Sequence, residues 1–302
     1  MFARFLPVFL ILGSFNPVTS YGQQPATWLG PLPDEIQESS GLLLAEGRFI
    51  THNDSGDQPV LYVLDTANLE IVRRVAVKGV RNTDWEALAE DDEYFYIGDF
   101  GNNEGNRRDL RILKISKTDF SKSDTVIPEL ISFAYADQRE FERMPKSDWD
   151  AEAMLAGRDS LWIFTKQWKS FGTVVYALPK VPGTYIADPV VSFNTRGLIT
   201  DAGPVPGEEA FLLLGYTPQL QPFVLKVPAA NPAEGFLRET LKSLLSIGFA
   251  QSEGMALSSE GSLFVSSESF SNRLVTLPAG IYKLNLETEL EQAGRKNQEE
   301  RP

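Results

Sequence analysis

Oxygen-bearing side chains recur along the chain in a short motif, directly before Ala or Gly and ahead of an apolar run. The fullest copies read DWEAL at residues 84–88, DAEAM at 150–154 and QSEGM at 251–255; weaker copies read SSGL at 39–42 and TDAG at 200–203. Copies that lie roughly fifty residues apart indicate a repeat architecture. The oxygen carriers of the five copies are Ser40, Glu86, Glu152, Asp201 and Glu253.

Side chains at equivalent places in five repeats would converge on one axis, and four of these five are carboxylic acids. Converging carboxylates repel one another and lose water, which is costly unless a cation neutralises them. The chain has no Cys and a single His, so oxygen-only ligation favours a hard cation. Five protein oxygens with added water suit Ca²⁺ better than Mg²⁺. The alternative is that each acid only binds backbone amides where its strand begins.

A second set of polar residues follows the second strand predicted in each repeat, on the face that carries the motif. Lys166 and Arg108 are cations that would hold an anionic group beside a metal, and Trp168 offers a ring for stacking. Asp and Asn are also common in turns for backbone bonding alone. The predicted ligand-binding residues are Asn53, Asn102, Asn103, Arg108, Lys166, Trp168, Tyr216 and Glu268.

Three residues of the same turns are candidates for catalysis. Asp54 or Asp99 would orient a water molecule, and His52 would assist proton transfer. A lone His is more often structural than catalytic, and that reading stays open for His52.

The elements that position these residues are short strands. About forty residues follow each motif and contain four apolar runs of strand length, or three in the last repeat, and four strands are the size of one propeller blade. We therefore predict an all-β, five-bladed β-propeller in which the first strand of each blade lines the channel. A six-bladed ring would need an unrecognised repeat in residues 136–148 or 228–247. The last repeat lacks its fourth strand, so residues 27–32 are expected to close the ring by pairing there.

The termini differ from the repeats. Residues 1–22 are typical of a signal peptide, with Arg4 ahead of a short apolar stretch; a membrane anchor is the alternative. A single domain is expected over residues 23–288. Residues 289–302 form a charged tail without core-forming residues, which predicts disorder. These features favour a secreted or periplasmic protein.

The net charge of −13 argues against nucleic acid and anionic membranes as partners. We expect a monomer that binds an anionic small molecule or another polar ligand at the channel mouth.

The motifs resemble those of the calcium-activated nucleotidases, or secreted apyrases, which are five-bladed propellers with a central calcium held by Ser and Glu side chains. Ser40, Glu86, Glu152 and Glu253 match that ligand set, and Asp201 stands where the family has a second Ser. Residues 53–56, NDSG, look like the family's acidic first turn. The resemblance covers five short motifs over residues 38–257. The chain also looks like bacterial phytase-like and TolB-like propellers.

Three functions follow from these patterns. The first is a metal-dependent hydrolase of a phosphate ester or anhydride, which the resemblance implies. The second is a non-catalytic binding propeller whose metal only holds the blades together. The third is a glycosidase that uses Glu86 and Glu152 as its acid pair, which requires that no metal occupy them.

Overall fold

The structure is a computed structural model that describes residues 26–248, 250–271 and 276–299. The signal peptide expected at residues 1–22 lies outside these ranges. The described residues form five main β-sheets and one separate hairpin. The innermost strand of each main sheet contacts the innermost strands of both neighbouring sheets, which closes a ring. This arrangement confirms the predicted five-bladed β-propeller.

Each blade is one of these sheets, and its strands run in order from the channel outward. Blade one contains β2 (Ser39–Ala45), β3 (Arg48–Asn53), β4 (Val60–Asp65), β5 (Ile71–Val77) and β9 (Thr125–Val126). Blade two contains β6 (Trp85–Glu90), β7 (Tyr94–Asp99), β8 (Arg111–Ser116), β10 (Glu129–Tyr135) and β14 (Gly183–Ala187). Blade three contains β11 (Ala151–Ala156), β12 (Ser160–Thr165), β13 (Thr173–Pro179) and β15 (Pro189–Phe193).

The last two blades have four strands each in the described part of the chain. Blade four contains β16 (Leu198–Pro204), β17 (Phe211–Tyr216), β18 (Pro222–Val227) and β19 (Leu241–Leu244). Blade five contains β20 (Ser252–Leu257), β21 (Ser262–Ser267), β24 (Gly280–Asn285) and β1 (Thr27–Pro31). The hairpin pairs β22 (Phe270–Ser271) with β23 (Thr276–Leu277), and the helices are α1 (Lys117–Lys122), α2 (Pro232–Gly235) and α3 (Leu286–Glu299).

The hydrophobic core lies between the blades. Within the described residues it divides into five clusters, one at each interface between neighbouring sheets. Tyr96 of blade two and Ile163 of blade three share one cluster, for example. Because both faces of a sheet are covered, inner strands are continuous apolar runs; every residue of β17, FLLLGY, is buried.

The N-terminal strand β1 closes the ring, as predicted. It pairs antiparallel with β24 and supplies the outermost strand of blade five. Trp28 packs against Tyr282 with 4.7 Å between the ring centroids, and Leu32 N donates to Ala279 O just beyond the strand. The first and last described strands therefore belong to one sheet.

Two outer strands were not predicted. β9 adds to β5, and β14 adds to β10, both in parallel. Each segment comes from the blade that follows in sequence, so it covers the exposed edge of the preceding sheet. A two-residue strand and a parallel pairing between distant segments leave little periodic signal in the sequence.

The C-terminal segment is helical as far as the structure describes it. Residues 289–302 were expected to be disordered, whereas α3 is helical over Leu286–Glu299. The reason is that Leu286, Leu290 and Ala293 share one helical face, and α3 contacts β19 of blade four. Within the described residues, none of the helices has the length and hydropathy needed to cross a bilayer.

Candidate metal centre

The recurring motif coincides with an irregularity at the start of each innermost strand. The ladder to the second strand skips Glu86 in blade two, Glu152 in blade three and Glu253 in blade five. In blade one the skip covers Ser40 and its neighbour, and in blade four it falls on Thr200. A bulge releases one residue from the ladder and changes the direction of its side chain. Repeated bulges therefore explain why these positions differ from ordinary strand residues.

The bulged Glu residues line a cavity of about 610 Å³ at one end of the channel. Most of the side chains around it are polar, and its acidic members are Asp54, Asp84, Glu86, Glu104, Glu152, Glu253 and Glu268. The other end of the channel holds a smaller cavity of about 180 Å³ with a mostly apolar lining, which includes Leu43, Met154 and Met255. The cluster of acidic residues thus lies at one mouth of the ring.

Two overlapping groups of carboxylates among the described residues have the geometry of a metal site. Asp54, Asp84 and Glu86 form one, and Glu86, Asp150 and Glu152 form the other, with the ligand oxygens of each group within 4.8 Å of one another. Glu86 belongs to both. Its carboxylate also accepts a hydrogen bond from Ser40 Oγ at 3.1 Å, so the predicted Ser40 orients Glu86 without itself lining the cavity.

Asp84 and Asp150 were missed as candidate ligands. Both copies of the motif carry Asp two residues before Glu, and this shared D-x-E pattern is the signal that would have identified them. Asp150 is held by two donors, the amide of Asn102 at 2.7 Å and Trp168 Nε1 at 2.9 Å. Trp168 therefore positions a carboxylate.

Burial and mutual repulsion raise the pKa values of these acids. Loss of water is the larger cause for each of them, and neighbouring carboxylates add to it for Asp54, Asp84 and Glu86. The pKa of Asp54 rises to about 6, that of Asp84 to about 7 and that of Glu86 well above its usual range. A cation that replaces the lost water would relieve this cost. Because the donors are carboxylate oxygens, the set fits a hard divalent ion.

A positively charged residue, Lys166, lies beside the carboxylates of Glu152 and Glu253. Lys166 Nζ donates to Glu152 Oε2 at 2.6 Å and lies 3.8 Å from Glu253 Oε2. The ammonium also faces the rings of Trp168 at 4.9 Å and Tyr216 at 5.3 Å. Burial alone lowers the pKa of Lys166, but the two carboxylates outweigh it and hold the pKa well above its usual range. The two carboxylates therefore favour the charged form of Lys166.

Asp201 does not line the acidic cavity, which corrects its prediction as a metal ligand. Its Oδ2 accepts from Met255 N at 2.6 Å, and its Oδ1 accepts from Ala202 N at 2.8 Å. The bulge in blade four falls on Thr200, whose hydroxyl donates to the carbonyl oxygen of Ser252 at 2.6 Å. Asp201 thus binds backbone amides, which was the alternative reading of the motif.

Two predicted catalytic residues are also structural. Asp99 is fully buried and pairs with Arg107 at 3.0 Å and Arg111 at 2.7 Å, so neither of its oxygens faces the cavity. His52 is buried between blades one and two, where its ring lies 5.6 Å from that of Trp85 and Nδ1 donates to the Asn53 carbonyl at 2.9 Å. Burial lowers the pKa of His52 to about 4. Only Asp54 of the three lines the cavity.

Some of the predicted ligand-binding residues line the cavity, and others are held by contacts elsewhere. Asn53 is committed to the carbonyl of Glu35 and the carboxylate of Asp57, and Arg108 lies over the ring of Phe141 at 3.6 Å. Neither lines the cavity. Those that do are Asn102, Asn103, Lys166, Trp168, Tyr216 and Glu268.

Arg107, next to the misassigned Arg108, was not predicted and does line the cavity. Its guanidinium is held by Asp99, by Asp109 and by the Gly101 carbonyl.

Comparisons with known proteins find neither a matching family model nor a matching curated protein. Several solved structures are similar to the chain. A gluconolactonase from Xanthomonas campestris is 12% identical, over 87% of this chain and 95% of that one, with a TM-score of 0.48. A glucose dehydrogenase is 8% identical over 86% and 98%, with a TM-score of 0.46. Hydrazine synthase from Kuenenia stuttgartiensis is 13% identical over 82% and 79%, with a TM-score of 0.42.

Proposed function

We propose that this protein is a divalent-cation-dependent hydrolase that prefers Ca²⁺ and acts on a phosphoester or phosphoanhydride at the acidic mouth of the channel. The observation that carries the proposal is the position of Glu86, which is buried, belongs to both carboxylate groups and lines the cavity. Asp54 and Asp84 would complete the ligand oxygens. A secreted or periplasmic location, expected from residues 1–22, is part of the same proposal.

A bound ion would polarise a phosphoryl oxygen and lower the pKa of a bound water. The chain supplies the other roles. Lys166 places an ammonium beside the carboxylates, where it would counter the charge of an anionic group. Asn102 Nδ2 is a buried donor without a partner among the described residues and would donate to a substrate oxygen. Asp54 lines the cavity and would orient the attacking water by accepting a hydrogen bond from it.

A second candidate function is a non-catalytic binding propeller whose metal is structural. The observation that favours it is that each carboxylate group spans two blades. Asp54 of blade one faces Asp84 and Glu86 of blade two, and Glu86 faces Asp150 and Glu152 of blade three. An ion in either group would therefore join neighbouring sheets, whether or not any reaction follows.

The test is a hydrolysis assay on metal-depleted protein with and without Ca²⁺. The panel contains nucleotides, an aryl phosphate, a sugar lactone and an aryl glycoside. We expect Ca²⁺-dependent release of phosphate. The Glu86→Gln variant should bind Ca²⁺ about tenfold more weakly or worse, because a charged ligand is lost, and should lose activity in parallel. Glu70→Gln, an exposed change in blade one, is the matched control and should behave like the parent.

Three outcomes separate the candidates. Calcium binding that depends on Glu86, without turnover of any compound, would establish the structural metal and refute the hydrolase. Turnover of the lactone or the glycoside alone would replace the phosphoryl substrate class. Hydrolysis of phosphate compounds that is indifferent to chelator would remove the ion from the reaction.

A further inference from the structure

Lys166 breaks the symmetry of the channel mouth. Lys166 follows Thr165. Thr165 pairs with Ala151 of the innermost strand, immediately before the bulge of blade three. In the other blades, the residues that follow the equivalent second-strand partner are Asp54, Phe100, Tyr216 and Glu268. Among these five equivalent positions of the described chain, blade three alone supplies a cation.

The Lys166 ammonium lies between two carboxylates that no other group neutralises as closely. It is hydrogen-bonded to Glu152 Oε2 at 2.6 Å, but Glu253 Oε2 is 3.8 Å away. That second distance is too long for a hydrogen bond, and Glu253 Oε2 is a buried oxygen without a hydrogen-bond partner among the described residues. Both Glu side chains are more than nine-tenths buried. Their arrangement offers two ligands to a cation, and one monovalent ammonium satisfies them incompletely.

The position of the ammonium is built into the fold. The Lys166 amide donates to the carbonyl of Asp150 at 2.7 Å, and the ammonium faces Trp168 and Tyr216. Trp168 is itself fixed by its bond to Asp150. The side chain is 5% exposed, so the ammonium has little room to move into solvent.

We propose that Glu152 and Glu253 form a second divalent-cation site that the Lys166 ammonium fills in place of a metal. A divalent ion cannot share Glu152 Oε2 with an ammonium already at contact distance, since like charges repel strongly in a buried site. The protein is thereby limited to one ion, on the Asp54, Asp84 and Glu86 side of the channel. The inference rests on the proposed function for the existence of that first ion, and it makes Lys166 the residue that sets metal stoichiometry.

The test counts ions in metal-depleted protein by calorimetric titration with Ca²⁺ and by native mass spectrometry. We expect the parent to bind one ion and Lys166→Met to bind two, because the vacated carboxylates become available. Lys166→Arg keeps the charge and should bind one. Lys166→Met combined with Glu253→Gln should return to one ion. Lys180→Met, which removes a Lys paired with Asp91 away from the cavity, is the matched control and should leave the count unchanged.

The outcomes distinguish this inference from the proposed function. One ion in both the parent and Lys166→Met overturns the inference and leaves the metal-dependent hydrolase standing. No ion in the parent but one in Lys166→Met overturns the hydrolase and supports the inference. No ion in either refutes both. If Lys166→Met does not fold, Lys166→Gln retains a donor to Glu152 and gives the same count.

Discussion

Asp201 Oδ2 accepts a hydrogen bond from the amide of Met255 at 2.6 Å, across the interface between blades four and five. The second oxygen of the same carboxylate accepts from Ala202 N. Asp201 is buried, so it connects two innermost strands without facing the acidic cavity. The motif that supplies candidate ligands in blades two, three and five supplies a structural connection in blade four.

This connection predicts that Asp201 matters for stability and not for metal binding. Asp201→Ala leaves a buried amide without its partner and should lower the free energy of unfolding by about 1–3 kcal/mol. Calcium affinity should stay at the parent value. Urea denaturation and calorimetry on the same samples provide both measurements, with the exposed change Asp188→Ala as the control. A loss of calcium affinity in Asp201→Ala would return this residue to the ligand set.

The same Asp→Asn substitution should affect calcium affinity at Asp54 and stability at Asp99. Asp99→Asn removes the charge that pairs with Arg107 and Arg111, so it should lower stability by about 1–3 kcal/mol while the remaining folded protein keeps its calcium affinity. Asp54→Asn removes a charge from the cavity wall and should weaken calcium binding with little loss of stability. Thermal melts and calcium titrations of both variants decide this. Equal calcium affinity in Asp54→Asn and the parent would exclude Asp54 as a ligand.

Ring closure depends on contacts between β1 and β24. A side chain at Gly280 would meet the ring of Trp28, since an added Cβ would lie 1.8 Å from its Cη2 atom. Gly280→Ala should therefore displace Trp28, lower the melting temperature and change the tryptophan emission. Gly248→Ala is the control, because a Cβ there meets nothing within 4 Å.

Deletion of residues 23–33 is the stronger form of the same test. It should leave the edge of β24 unpaired and promote aggregation. A truncated protein that stays monodisperse and melts like the parent would contradict the closing role of β1.

The fold could be predicted because the same weak signals occur five times. One apolar run with one turn is ambiguous, but five sets with a shared motif indicate blades, and the missing fourth strand of the last set indicated closure by residues 27–32. The strands β9 and β14 could not be predicted in this way. Their pairing depends on which distant sheet edge the chain passes, and such tertiary contacts leave no period in the sequence.

The candidate site was predictable at the bulges and less so in the turns. Glu86, Glu152 and Glu253 lie at the bulges and line one cavity, and the small residue after each of them was the signal for that position. In blade four the bulge lies one residue earlier, at Thr200, and the residue types alone do not reveal that shift. Arg107 and Arg108 show the same limit, because neighbours in an irregular turn face different directions and only one of them lines the cavity.

The pH dependence of the metal-depleted protein tests the electrostatics of the cavity. Burial, reinforced by neighbouring carboxylates, raises the pKa of Glu268 to about 9 and that of Asp84 to about 7. In the unfolded chain such groups titrate at about 4. As pH rises, the unfolded state therefore loses these protons first, and the stability they contribute at low pH is lost progressively up to the folded pKa values. The melting temperature without metal should fall between about pH 5 and about pH 8.

Calcium should reverse this trend. Carboxylates bind the ion only when they are deprotonated, so the rise in melting temperature on adding Ca²⁺ should be larger near pH 8 than near pH 5. Glu268→Gln cannot ionise at that position, so its metal-depleted form should lose less stability as pH rises. Glu70→Gln should follow the parent at every pH, since Glu70 is exposed. If the metal-depleted parent instead became more stable toward pH 8, the buried carboxylates would already be neutralised by groups of the chain, and the case for a cation at Glu86 would fail.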